Sequence, residues 1–207
     1  MNDLESGKNI DSSVSDYMLN DEKTIRTFIA YNFNSDAIEN IKTNQNKLKN
    51  ELCDYFKWES YDKFHITLKF IGETDKEFLN RTKKALVESS SKFRTFKINI
   101  CAFAGVFPDM DNPAVLWLGI NDETGMLKKL AGFYDDSLNE YRIKPDGKIF
   151  NPHITIARTK NKKKRRQYYK IDFINTFIPV PMEIVIDKIS IIHSDHGNYK
   201  KIFTVDL

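Results

Sequence analysis

The sequence predicts an α+β fold, on three observations. Segments rich in β-branched and aromatic residues come in pairs, amphipathic helical stretches lie between them, and no parallel strand–helix–strand signature recurs. Of the 207 residues, 41% are hydrophobic and 13% aromatic, with 8 Gly and 6 Pro. That supplies a core and excludes disordered, collagenous and low-complexity classes. Residues 1–23 carry six acids, two lysines and no apolar run, so they read as a flexible acidic extension and not a secretory signal. The folded unit is expected over residues 24–207 as one domain, or two closely packed half-domains.

Order is expected to begin near Ile25, where IRTFIAYNF reads as a strand. Ser35–Asp36 offers N-cap chemistry, and Ile38, Ile41, Leu48 and Leu52 at helical spacing predict a first helix to about Phe56. KFHITLKFIG is the second strand. Thr74 to Glu77 forms a capping-box pattern, and Phe78, Thr82, Ala85 and Leu86 continue one face of a second helix. FRTFKINICAF and PAVLWLGI read as strands either side of the turn signal PDMDNP. Met126, Leu127, Leu130, Phe133, Tyr134 and Leu138 mark a third helix; NPHITIART follows as a strand, and a short helix is predicted through Tyr168 to Phe173. MEIVIDKISIIHS and YKKIFTVDL, joined around a His-Gly-Asn turn, predict an antiparallel pair.

One feature carries chemistry. The tripeptide His-Ile-Thr occurs twice, at His65–Thr67 and His153–Thr155, each time followed by an aliphatic residue and each time inside a predicted strand. Only four histidines are present, so two identical copies point to an internal duplication that preserves an imidazole and a hydroxyl. Side chains at i and i+2 of a strand share a face. His65 therefore stands beside Thr67, with Ile66 and Leu68 behind them, and His153 beside Thr155 with Ile154 and Ile156 behind. Two such faces set opposite each other would give one cleft holding two imidazoles and two hydroxyls. That set suits phosphoryl chemistry: one imidazole deprotonates a nucleophile, the other protonates a leaving oxygen, and the hydroxyls bind phosphate oxygens. Neither copy has a second His or Cys at metal-ligand spacing, and Cys53 and Cys101 give neither a metal site nor a disulfide framework, so no metal and no cofactor is expected. His193 and His196 flank Ser194 and Asp195 in a turn-like segment and read as surface histidines.

With these residues in view, the chain resembles the 2H phosphoesterase superfamily, whose mark is a pair of H-x-T-x motifs. Within it the sequence is similar to the RNA 2′,3′-cyclic phosphodiesterase (2′-5′ RNA ligase-like) branch. RTFIAYNF, FHITLKFIGET, GVFPDMDNPAVLWLGI, FNPHITIAR and the tail strands carry the likeness from about Ile25 to Leu207. The resemblance implies two pseudo-symmetric lobes, each an antiparallel sheet with flanking helices, with the active site in the cleft between them. It implies metal-independent hydrolysis of a 2′,3′-cyclic phosphate on RNA ends or nucleotides, with reverse 2′-5′ ligation as a companion activity. Carried over, His65 is the general acid, His153 the general base, and Thr67, Thr155 and Arg158 bind phosphate. Strict alternation points Arg158 away from His153, so a strand end or bulge is needed to bring it in. The alternatives are a 2′,5′-phosphodiesterase acting on 2′-5′ oligoadenylates and a non-catalytic module that binds RNA ends.

Charge adds a candidate contact. Net charge is +3, yet Arg158–Arg166 holds seven basic side chains and no acid, which leaves the rest of the chain at −4. A patch this local attracts an anionic partner, and Lys162, Lys163, Lys164, Arg165 and Arg166 are candidate RNA contacts, against the plainer reading of a solvated loop. The sequence indicates no membrane span and no obligate protein partner. A cytoplasmic setting is expected, with the nucleus as the alternative a basic run allows.

Overall fold

The computed structural model describes residues 24–52, 55–139, 150–160 and 172–207. In chain order the elements are β1 (Ile25–Asn32), α1 (Ser35–Leu52), β2 (Phe56–Trp58), β3 (His65–Thr74), α2 (Lys76–Lys92), β4 (Phe96–Phe107) and β5 (Val115–Asn121). They continue with α3 (Met126–Asn139), β6 (His153–Thr159), the short α4 (Phe173–Thr176), β7 (Met182–Ile186), β8 (Lys188–Asp195) and β9 (Asn198–Asp206). Two antiparallel sheets result, ordered β3-β1-β8-β9 and β2-β6-β5-β4-β7. The α+β class and the two-sheet arrangement agree with the sequence.

The lobes are not the two halves of the chain. The hairpin β8–β9 joins the first sheet, where β8 pairs with β1 (Phe28 opposite Ile192). β2, from the first half of the chain, and β4, which spans the midpoint, both lie in the second sheet, where β4 pairs with β5 and β7. Helices cross over as well. α3 follows a strand of the second sheet but packs on β3 of the first, where Lys69 pairs with Asp135. α1 follows β1 but lies against β7, and its buried Gln45 donates to the Ile156 and Glu59 carbonyls of the second lobe (2.9 Å each). The backs of both sheets and the helices share one core that includes Ile29, Ile41, Leu48, Ile66, Leu86, Leu118, Leu127, Tyr134 and Ile154.

Local departures have local causes. The first helix stops at Leu52, and Phe56, at the next helical step, is buried instead in β2, opposite Thr159 of β6. Its cap is Asn34, whose Oδ1 accepts from Ala37 N (2.9 Å). Asp75 and not Thr74 caps α2, accepting from Phe78 N at 2.7 Å; Thr74 is a buried strand residue whose hydroxyl bonds that of Thr27. The predicted strand MEIVIDKISIIHS is two strands, β7 and β8, which part at Asp187 and enter different sheets. Of the predicted Tyr168–Phe173 helix only the end is described, and α4 begins there. The acidic extension, Cys53 and the run Lys162–Arg166 lie outside the described residues.

Candidate active site

β3 and β6, the strands that carry the two repeats, meet where the sheets approach each other. Each presents its His and Thr on what we term the front face, with Ile66, Leu68, Ile154 and Ile156 buried behind. His65 Nδ1 donates to the Lys63 carbonyl (2.6 Å) and His153 Nδ1 donates to the Asn151 carbonyl (2.8 Å). A carbonyl oxygen only accepts, so in both neutral rings the proton sits on Nδ1 and the lone pair on Nε2. On the first side Nε2 meets Thr67 Oγ1 at 3.0 Å. His153 Nε2 has no hydrogen-bond partner among the described residues.

Aromatic rings hold both imidazoles. His65 packs on Phe28 (5.0 Å between centroids) and edge-on to Tyr199 (5.4 Å, 86°). His153 packs edge-on to Phe107 (4.9 Å, 79°), and Trp117, stacked on Phe107, lies 6.1 Å away. Two glycines make room on this face. A side chain at Gly105 would collide with the Trp117 indole, and one at Gly119, which pairs with His153, would collide with the Phe103 ring.

Burial pushes both histidines below their ordinary value of 6.5. The Lys63 and Asn151 carbonyls oppose that shift, while Arg158 lowers both rings further and His153 lowers His65. Burial also raises the Tyr199 hydroxyl, which feels Arg158, Glu59 and Arg26 in turn.

A bulge brings Arg158 in. The pairing of β5 with β6 slips between Leu116 and Trp117, so Ile156 and Ala157 both turn to the core and Arg158 emerges on the face of His153 and Thr155. β3 slips at the equivalent place: Ile29 faces Lys69 while Ala30 faces Thr67, and Phe70 emerges on the front face 68% exposed. The duplication thus extends to the bulge, with Phe70 standing where its mate has Arg158. Arg158 Nε donates to Glu59 Oε1 (2.8 Å). A cleft of about 980 Å³ runs from Arg158 along the first sheet, lined by Arg26, Phe28, Phe70 and Tyr199 and reaching His193 and His196. His196 is almost fully exposed beside Asp195, as a surface histidine would be.

Of the residues the sequence singled out, Arg158 lines this cleft. His65, bonded to Thr67, stands beside it through its ring contacts with Phe28 and Tyr199. His153 and Thr155 lie on β6, which meets β3 where the sheets approach. Sequence reasoning missed Glu59, Tyr199 and the aromatic rings; Glu59 lies six residues before the first motif, but no spacing rule links it to Arg158. Among the described residues no three of His, Cys, Asp and Glu cluster to hold a metal ion, and no helix is long and apolar enough to cross a membrane.

An α+β scaffold of two antiparallel sheets whose adjoining strands each carry a His-x-Thr pair has the form of a phosphoesterase, and comparison with known proteins agrees. The family profile described as LigT like phosphoesterase matches residues 33–117. An RNA 2′,3′-cyclic phosphodiesterase of Aquifex aeolicus is 30% identical over 191 residues, covering 88% of this chain and 95% of that protein. One from Aeropyrum pernix is 33% identical over 99 residues, covering 48% of this chain and 54% of its own length. Among solved structures, Escherichia coli LigT complexed with 3′-AMP superposes with a TM-score of 0.67 at 20% identity, covering 89% of this chain and 99% of that one. The chain belongs to the LigT-like phosphoesterase family, within the 2H superfamily.

Proposed function

We propose that this protein hydrolyses the 2′,3′-cyclic phosphate of RNA ends or nucleotides, without a metal, with His153 as general base and His65 as general acid. The observation that carries the reading is the matched pair of imidazoles, each with Nδ1 tied to a backbone carbonyl two residues upstream, which leaves the lone pair on Nε2. His153 Nε2 takes a proton from water as the water oxygen bonds to phosphorus. The bond from phosphorus to one ribose oxygen breaks, and His65 Nε2–H protonates that oxygen, leaving a phosphomonoester and a free hydroxyl. Thr67 and Thr155 donate to non-bridging oxygens, and Arg158 offsets the charge that builds on them. The activity in the names of the Aquifex aeolicus and Aeropyrum pernix relatives supports the same substrate class.

The test is a panel of nucleoside 2′,3′-cyclic phosphates and 2′-5′ oligoadenylate, assayed in EDTA. Cyclic phosphate turnover that survives the chelator is expected. His65→Ala and His153→Ala are each expected to lose about 10²–10⁴-fold in kcat with an unchanged circular dichroism spectrum. Near-wild-type turnover in either variant overturns the acid–base assignment. Turnover of the oligoadenylate alone makes the protein a 2′,5′-phosphodiesterase, and turnover of nothing leaves an RNA-end-binding module.

A further inference from the structure

We propose that Phe103 is a platform on which the substrate's nucleobase stacks, on the face of the second sheet that carries His153; this rests on the phosphodiesterase reading above. Three features of the second sheet converge on this ring. Opposite Gly119, strand β4 spends three residues, Cys101 to Phe103, where β5 spends one. Cys101 holds a φ of 55° with its side chain fully buried, a left-handed conformation that a non-glycine residue adopts at a cost. Bulges re-aim side chains, and this one turns Phe103 onto the front face.

Gly119 is the second feature. It pairs with His153, so its missing Cβ would stand on the same face as the imidazole, one strand spacing (about 5 Å) away. The Phe103 ring fills that place, lying against the Gly119 backbone and edge-on to Trp117 (5.7 Å, 81°). Exposure is the third. Trp117 is only 8% exposed, whereas Phe103 is 46% exposed although the sheet and Trp117 cover its inner side, so its open surface faces away from the sheet. A valine at position 119 would cover the backbone with neither a bulge nor an exposed ring. What the observed arrangement adds is a fixed π surface beside the base-side histidine. A ribose cyclic phosphate carries its own base within that reach, and base–aromatic stacking is tolerant of base identity.

Steady-state kinetics on adenosine 2′,3′-cyclic phosphate and on the base-free glycerol 1,2-cyclic phosphate test this. Phe103→Leu keeps an apolar cover without a π face. It is expected to raise KM for the adenosine substrate about tenfold, with kcat within about twofold and the base-free substrate unaffected. Phe103→Tyr should match the wild type. Phe103→Trp should lower KM for the adenosine substrate alone, an arm that still decides if the leucine variant fails to fold. Wild-type protein that turns over neither compound overturns the phosphodiesterase reading and this inference with it. Wild-type turnover with variants that change KM for both compounds or for neither overturns the stacking role alone.

Discussion

Glu59 and Arg158 meet through a single nitrogen, Nε, with a carboxylate that is mostly buried and a guanidinium that is half exposed. This geometry holds the arginine's plane, and in the proposed function the outer nitrogens bind the phosphate. It also places a negative charge near the proposed anion site. The two effects separate by substitution. Glu59→Gln keeps an oxygen for Nε and removes the charge, so KM for a cyclic nucleotide should stay level or fall. Glu59→Ala frees the guanidinium and should raise KM about fivefold, the equivalent of roughly 1 kcal/mol for a partly exposed pair.

The buried imidazoles set a pH signature. Both are held below 6.5 in the folded protein, so on acidification the unfolded chain binds protons that the folded one resists. Stability should be level above about 6.5 and decline below it as the pH falls toward the folded values. Urea unfolding at pH 7.5 and 5.5 checks this: a His65→Asn, His153→Asn double variant should lose less stability between the two pH values than the wild type. The proposed mechanism uses one ring protonated and one neutral, so kcat/KM should peak on the acid side of 6.5. The kcat profile, taken with the anionic substrate bound, should lie further toward alkaline pH. Both apparent values belong to the pair and not to either ring.

At the scale of elements, the sequence was most legible where a strand's period of two applies unbroken. His65 with Thr67, and His153 with Thr155, share faces as alternation requires. Arg158 was legible only as a condition, since no residue type announces a bulge; the slip at Leu116–Trp117 meets it. The Lys63 and Asn151 carbonyls were invisible because the backbone carries no residue signature. β2 was overrun because Leu52 and Phe56 sit four apart, which fits a continuing helix as well as a strand just after one. The division of β7 from β8 was passed over although the apolar alternation changes parity there, from Ile184 and Ile186 to Ile189 and Ile191 across Asp187-Lys188. In sequence the basic run follows β6, whose Arg158 lines the cleft, and RNA extends many phosphates past a terminal cyclic one. Neutralising Lys162, Lys163, Lys164, Arg165 and Arg166 together should raise KM for an oligonucleotide in a salt-dependent way, with a cyclic mononucleotide scarcely affected. Kinetics on both substrates at two salt concentrations decide it; equal losses on both, or on neither, would return the run to a solvated loop.

At the scale of the molecule, the crossed helices and exchanged strands mean that neither half of the sequence contains a lobe. The first sheet takes β8 and β9 from the last twenty residues, and β1 has β3 on one edge and β8 on the other. During synthesis β1 leaves the ribosome with one of its neighbours still about 160 codons away. At roughly 5–20 residues per second that is a wait of about 8–30 s. Through that interval one edge of β1 has backbone donors and acceptors but no mate, the kind of edge that other chains can pair with. The sheet that carries His65 is therefore completed only after both His-Ile-Thr strands have been made, and until β8 and β9 arrive the first motif stands on an incomplete sheet.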